Sequence, residues 1–254
     1  MLDRWKNWFQ KSEQKRNIDS TPDRIERLQT LLNVQIQPEN FHLFEKALRH
    51  RSIVSSDKYL AEETYERLEF LGDAVLDLIV SEILYDRYPE KAEGYLTKLR
   101  SKIVKGETLA IMAKKLELND VMEVGDRATG QGIELSKSVL ADVYEAIVAA
   151  LYLSMGYKTT FNFVKSNLEH FLDLSKIEHK VDNYKSMLME HAQSEKVELP
   201  EYMVLSEDGP GHNKTFKVSV KLNNEEIGIG AGKTKKEAEQ KAAKNALTSL
   251  GLLN

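Results

Sequence analysis

The 254-residue chain contains no cysteine. That excludes a disulfide framework, a thiolate nucleophile and any zinc site built on Cys. It also suits a reducing compartment, so a cytoplasmic location is the expectation. Histidine is scarce, at six residues. The chain has no Gly-x-Ser-x-Gly elbow, so an acyl-transfer serine has no local signature. The longest apolar run, Ala146 to Leu153, is too short to cross a bilayer. The N-terminus has basic residues but no apolar core of a secretory signal. A general excess of positive charge is also missing: the net charge is -4, with a pI near 6.0. If the chain binds nucleic acid, local clusters of charge must do it.

What the chain does have is acid at helical spacing. Glu66, Glu69 and Asp73 stand at i, i+3 and i+7 in Glu66-Arg-Leu-Glu-Phe-Leu-Gly-Asp-Ala74. On a helix they share one face, while Leu68, Leu71, Val75, Leu78 and Ile79 form a separate apolar stripe. Close carboxylates repel unless a cation sits between them. A second pair, Asp142 and Glu145, projects from a helix of Leu140, Val143, Ala146, Ile147, Ala149 and Ala150. Charges on so apolar a helix are costly unless solvated, paired or metal-bound. If the two helices pack together, Glu69, Asp73, Asp142 and Glu145 converge, and oxygen donors alone favour a hard cation such as Mg²⁺. Asp77, one turn further on, reads as a solvated acid. A di-iron bundle needs two Glu-x-x-His motifs; only Glu39-Asn-Phe-His42 fits, so that reading fails for want of histidine.

The chain divides into four segments. Residues 1–21 read as an extension. It carries both tryptophans, Trp5 and Trp8, among Arg4, Lys6 and Lys11. A membrane-surface helix is one reading of it, a loosely docked extension the plainer one, and no membrane partner is expected. Residues 22–172 have helical periodicity throughout, with helices expected over Tyr65–Tyr85, Tyr95–Leu116, Ser138–Ser154 and Thr160–Leu172. Residues 173–181 are polar and without a period, which reads as a linker. Residues 182–254 change pattern. A helix over Tyr184–Ser194 precedes strands at Tyr202–Ser206, at Phe216-to-Leu222 with alternating Lys217, Ser219 and Lys221, and near Ile227–Gly230. Thr234–Leu250 closes as a helix with Ala238, Ala242, Leu247 and Leu250 inward. The fold class is therefore an all-α domain joined by a short linker to an α+β domain of α-β-β-β-α order.

Glu66 to Ala74 resembles the signature of the ribonuclease III family. Val139-Leu-Ala-Asp-Val-Tyr-Glu-Ala146 resembles that family's second acidic motif. Ala47-Leu-Arg-His-Arg-Ser52, and Glu93-Gly94 followed by Leu96-Thr97, match in the same order. The resemblance covers about Ile25 to Leu250. It implies that Glu69, Asp73, Asp142 and Glu145 hold the metal, Mg²⁺ with Mn²⁺ able to substitute, with Asp73 and Glu145 also catalytic. Glu66 and Glu93 match further acids of the catalytic valley. Phe70 matches a residue that inserts into a partner subunit, which implies a homodimer. The activity implied is endonucleolytic cleavage of double-stranded RNA to 5′-phosphate and 3′-hydroxyl ends, with ribosomal and other structured precursors as substrates. A double-stranded RNA-binding protein without turnover is the rival reading, and the presence of all four acids opposes it. The chain departs from the family at Tyr65, where Asn is common, and in the loop Gly125–Gly132.

The last segment resembles a double-stranded RNA-binding domain. From Asp182 to Asn254, ten lysines face eleven acids, but Lys233 to Lys244 holds five lysines against two glutamates. Thr234-Lys-Lys-Glu237 fits a capping box. It puts Lys235 and Lys236 in the first helical turn, where cations oppose the macrodipole. Bound phosphate would explain that choice. By the resemblance, Glu190 and Gln193 meet ribose hydroxyls and His212 reaches the minor groove.

Overall fold

The computed structural model describes residues 21–56, 59–125, 128, 130–179, 183–210 and 214–253. The N-terminal extension with Trp5 and Trp8, and His212, lie outside these. The chain forms two compact units that divide between His179 and Lys180.

The first unit is helical. Its elements are α1 (Thr21–Leu32), α2 (Phe41–Leu48), α3 (Glu66–Arg87), α4 (Glu93–Ile103), α5 (Gly106–Lys115), α6 (Lys137–Phe171) and α7 (Leu174–His179). The centre is α6, where Val143, Tyr144 and every residue from Ala146 to Leu151 are buried. A helix apolar on all sides must be enclosed, and α2, α3 and α5 pack around it. Among the described residues α6 alone is long and apolar enough to cross a membrane, but most of its apolar window is buried inside this unit. The two expected helices over Ser138–Ser154 and Thr160–Leu172 meet within α6 at Gly156, whose φ of 75° breaks the helical backbone between them. Thr160 donates its hydroxyl to the Gly156 carbonyl at 2.9 Å and caps the break. The expected helix over Tyr95–Leu116 is instead two, α4 and α5, parted at Val104–Lys105.

Two readings of the first unit need correction. Leu78, assigned to the apolar stripe, is 58% exposed; the buried face of α3 is Leu68, Val75, Leu76, Ile79, Val80 and Leu84. The stretch read as a linker begins with α7, whose Leu174 is buried against the helical core. Lys102 of α4 donates to the Ile177 carbonyl at 3.2 Å, which holds α7 in place.

The second unit is α8 (Tyr184–Ser194), β1 (Glu201–Asp208), β2 (Thr215–Leu222), β3 (Glu225–Gly232) and α9 (Lys235–Ser249). The sheet is antiparallel in the order β1-β2-β3. Asn223 and Asn224 both have positive φ, 50° and 65°, so they form the tight turn that matches strand twist. Val218 and Val220 of β2 face Leu188 of α8 and the alanine face of α9. The packing of β3 on α9 is backbone to backbone. A Cβ at Gly228 would lie 2.5 Å from the Ala242 carbonyl oxygen, one at Gly230 2.2 Å from the Ala242 nitrogen, and one at Gly232 2.7 Å from the Ala238 nitrogen. Alternate residues of a strand share a face, and i, i+4 residues share a helix stripe, so three glycines seat against Ala238, Ala242 and Ala246. Leu250, expected inward, is 38% exposed, and Ala243 and Ala246 are buried instead.

Candidate metal centre

The contact between α3 and α6 places the acids. Gly72 lies on α3 where it crosses α6, and a Cβ there would stand 1.9 Å from the Glu145 carbonyl oxygen. Only a residue without a side chain permits that approach. The crossing brings Glu69, Asp142 and Glu145 together, with one carboxylate oxygen of each within 4.8 Å of the others. Asp73 is not in that trio. Its charge still bears on the trio, because it opposes ionisation of both Glu69 and Glu145.

The electrostatics of the cluster are those of acids under mutual pressure. Burial, then the charges of Asp73, Glu69, Asp142 and Asp77, push the Glu145 carboxyl up to about 8. Burial also raises Asp142, although a hydrogen bond from Tyr65 and the charge of Arg51 work the other way. Glu69 is raised by burial, then by Asp142, Glu66 and Asp73. Tyr65 is buried and donates its hydroxyl to Asp142 Oδ2 at 3.4 Å; burial and the neighbouring acids raise its own pKa. Glu66 faces Arg51, with 3.7 Å between Oε1 and Nη1. Asp77 lies 3.9 Å from Arg100.

A second set of contacts holds the approach to the cluster. Arg49 is buried and donates Nε to Glu123 Oε2 at 3.1 Å and Nη1 to the Glu63 carbonyl, with its guanidinium 4.0 Å over the Tyr59 ring. Arg24 reaches the same Glu123 oxygen at 3.2 Å. The backbone follows: His50 N–H donates to Glu123 O, Glu123 N–H to Leu48 O, and Tyr65 N–H to Arg49 O. His50 is buried, and its Nδ1 accepts the Ser52 N–H at 3.1 Å. Burial, then the charge of Arg51, holds its pKa below the usual value.

Other expected site residues lie elsewhere. Glu93 starts α4 and accepts the Thr97 hydroxyl at 2.7 Å. It lines a hollow with Leu78, Ser81, Glu82, Tyr85 and Arg100, and is not one of the clustered trio. Phe70 is 83% exposed on α3. In the second unit Glu190, Gln193, Lys235 and Lys236 are all exposed. Thr234 caps α9 by accepting the Glu237 N–H at 3.1 Å, but the Glu237 carboxylate reaches back to the Lys233 N–H, one residue beyond a capping box. Lys241 pairs with Glu237 at 2.7 Å. Lys235 and Lys236 form no ion pair among the described residues, and Lys235 lies 5.7 Å from the Phe216 ring centre.

Sequence spacing gave no sign of Arg51 or of the Tyr65 hydroxyl beside the acids. Gly72 did carry a signal. A glycine inside a helix costs about 1 kcal/mol against alanine and so asks for a packing reason.

Residues 40–172 match the family model described as Ribonuclease-III-like, and residues 184–250 match the double-stranded RNA binding motif. A Ribonuclease 3 of Chlorobaculum tepidum is 42% identical over 217 residues, covering 84% of this chain and 79% of that protein. One from Bacillus licheniformis is 38% identical over 236 residues, covering 93% of this chain and 94% of that protein. Among solved structures, a nuclease domain of ribonuclease III from Campylobacter jejuni, described for flexibility in a region involved in dimer formation, superposes with a TM-score of 0.53. It is 34% identical and covers 58% of this chain and 98% of that one.

Proposed function

This chain belongs to the ribonuclease III family, and on that premise we propose that it is a Mg²⁺-dependent endoribonuclease acting on double-stranded RNA in the cytoplasm. The observation that carries the reading is the trio Glu69, Asp142 and Glu145, set on two helices whose backbones touch at Gly72. The donor set fits a hard divalent cation: all ligands are carboxylate oxygens, and each acid is raised by burial and by its neighbours. Those three residues would hold the ion, with Asp73 adding negative charge beside them. A divalent ion bound there supplies charge neutralisation at the phosphodiester and an activated water.

The residues themselves set the conditions. Glu145 keeps a proton at neutral pH for as long as nothing offsets its neighbours, and must release it to act as a ligand. Tyr65 holds Asp142 by its hydroxyl and keeps one oxygen oriented. Gly72 fixes the distance between the two acid-bearing helices. The products expected are 5′-phosphate and 3′-hydroxyl ends on ribosomal and other structured precursor RNAs, and Mn²⁺ is expected to replace Mg²⁺.

The second unit supplies duplex binding. Lys235 and Lys236, exposed at the N-terminus of α9, would meet backbone phosphates, while Glu190 and Gln193 on α8 would meet ribose hydroxyls. A homodimer is the working assembly. Phe70, Leu78 and Tyr85 lie exposed along one side of α3, with Tyr152 and Leu153 of α6 also exposed, and exposed apolar patches of this kind mark association surfaces.

The test is cleavage of a long RNA duplex by the purified full chain in Mg²⁺, with and without EDTA. Cutting that EDTA abolishes, and that Glu145→Gln lacks while still binding RNA, is the expected result. Binding without cutting in Mg²⁺ would leave a duplex-binding protein and end the enzyme reading.

A further inference from the structure

Two arginines stand two residues apart in Arg49-His50-Arg51, and their surroundings differ sharply. Arg49 is buried and committed to Glu123, Glu63 and the Tyr59 ring. Its role in the fold is complete. Arg51 has a side chain 72% exposed, and its pairing with Glu66 is loose, at 3.7 Å to a partner itself 47% exposed. A pair that exposed contributes little to stability and costs little to break.

The backbone at Arg51 is nonetheless fixed on both sides. His50 N–H is bonded to Glu123 O, Ile53 N–H to His50 O, and Ser52 N–H to His50 Nδ1. The start of the side chain is therefore held by a rigid turn, and the guanidinium lies beside Glu66, one helical turn before Glu69 of the acid cluster. Its charge favours ionisation of Glu69, Asp142 and Tyr65 alike, against the burial that raises all three. A cation on the rim of a metal site works against metal binding by simple repulsion. If this chain used the cluster only to hold an ion, an acid or a neutral residue at position 51 would serve better.

We propose that Arg51 contacts a backbone phosphate of the RNA. Its guanidinium balances the acids in the metal-free protein and turns to a non-bridging phosphate oxygen when those acids are committed to a divalent ion. The planar, five-donor fork suits a phosphodiester. Nothing has to be desolvated to free it, because the Glu66 pairing is already in solvent. This inference rests on the nuclease reading given above.

The two halves of the role predict changes of opposite sign, which a merely structural arginine would not. Wild type, Arg51→Ala and Arg51→Lys are compared as full chains. Without RNA, Mn²⁺ binding followed by calorimetry should tighten about three- to tenfold in Arg51→Ala, because a repelling charge has gone. With RNA in Mg²⁺, the same variant should cut more slowly at low substrate, with KM raised about fivefold or more and its salt dependence flatter by about one phosphate. Arg51→Lys should recover Mn²⁺ affinity close to wild type and only part of the KM. Melting within about 3 °C of wild type, expected at so exposed a position, shows that the variants are folded. Mn²⁺ affinity that is unchanged or weaker in Arg51→Ala overturns the inference, as does an unaltered KM while wild type cuts. Wild type that does not cut in Mg²⁺ overturns the nuclease reading, and this inference falls with it.

Discussion

At the scale of single residues, Glu145 is the group whose protonation state the fold controls most. Its pKa in the folded chain is raised to about 8 by burial and then by Asp73, Glu69, Asp142 and Asp77. The sign of the consequence follows from linkage. Between the ordinary glutamate range near 4.3 and about 8, the folded state binds a proton that the unfolded state has lost. The contribution of Glu145 to the stability of the metal-free protein therefore falls as pH rises through that window, most plainly above the range of His50, whose lowered pKa acts in the opposite sense. Calorimetric melting at pH 5 and pH 8 in EDTA should show this decline, and Glu145→Gln should flatten it and melt higher at pH 8, by roughly 2–5 °C. Divalent metal should also flatten the wild-type slope, and binding it at pH 7 should release protons. A melting temperature that climbs steadily from pH 5 to pH 8 in EDTA would contradict the assignment. That Glu69 and Asp73 share a face of one helix, and Asp142 and Glu145 a face of another, was readable in the sequence because helical spacing is a local property, fixed by 3.6 residues per turn. The tighter trio was not readable, since the exclusion of Asp73 from it depends on where α6 crosses α3.

The element scale shows why that crossing was hidden. Periodicity tells which side of a helix is apolar but not how near another backbone comes. Gly72 sets that distance, and Gly72→Ala must push α3 and α6 apart or distort them. An overpacked core position of this kind costs about 1–3 kcal/mol or more, and the shift also separates Glu69 from Glu145. Both melting temperature and cleavage should drop together. Gly94→Ala is the control. A Cβ there meets nothing within 4 Å, and its position in α4 favours alanine, so stability should hold or rise slightly. Equal behaviour of the two variants would refute the backbone-contact account. The same limit of periodicity explains Leu78. Its spacing fits the buried stripe, but an apolar residue at helical spacing can face a core or face a partner, and sequence alone does not separate them. The strands and α9 of the second unit were legible because alternation and an N-cap threonine are local signals; β1 and β3 each run further than the apolar pattern, through polar and glycine residues at their ends.

At the scale of the whole molecule, two units divide the work. Phe70 is 83% exposed on the helix that carries Glu66, Glu69 and Asp73, so the proposed assembly surface and the proposed metal centre share one element. Phe70→Glu should shift sedimentation toward the monomer and lower cleavage, with the melting temperature of the isolated subunit little changed because the side chain packs on nothing within it. A protein that already sediments as a monomer would remove the dimer from this account. On the proposed reading, duplex binding belongs to a local patch rather than to net charge. Lys235→Ala combined with Lys236→Ala should weaken duplex binding and reduce the slope of log affinity against log salt by about two, while metal affinity is untouched. An unchanged slope would mean that these lysines do not meet phosphates.

The glycine and alanine seam between β3 and α9 has a mechanical consequence for that binding patch. Most protein layers are separated by branched side chains that can hop between rotamers and let the layers slide. Here the spacer is missing: main chain rests on main chain and on methyl groups, which have no side-chain rotamer to change. The distance from β3 to the lysine-bearing α9 is thus set by close contact of backbone atoms and methyl groups. On the proposed reading, a duplex that needed α9 to move away from the sheet would find a support that does not yield.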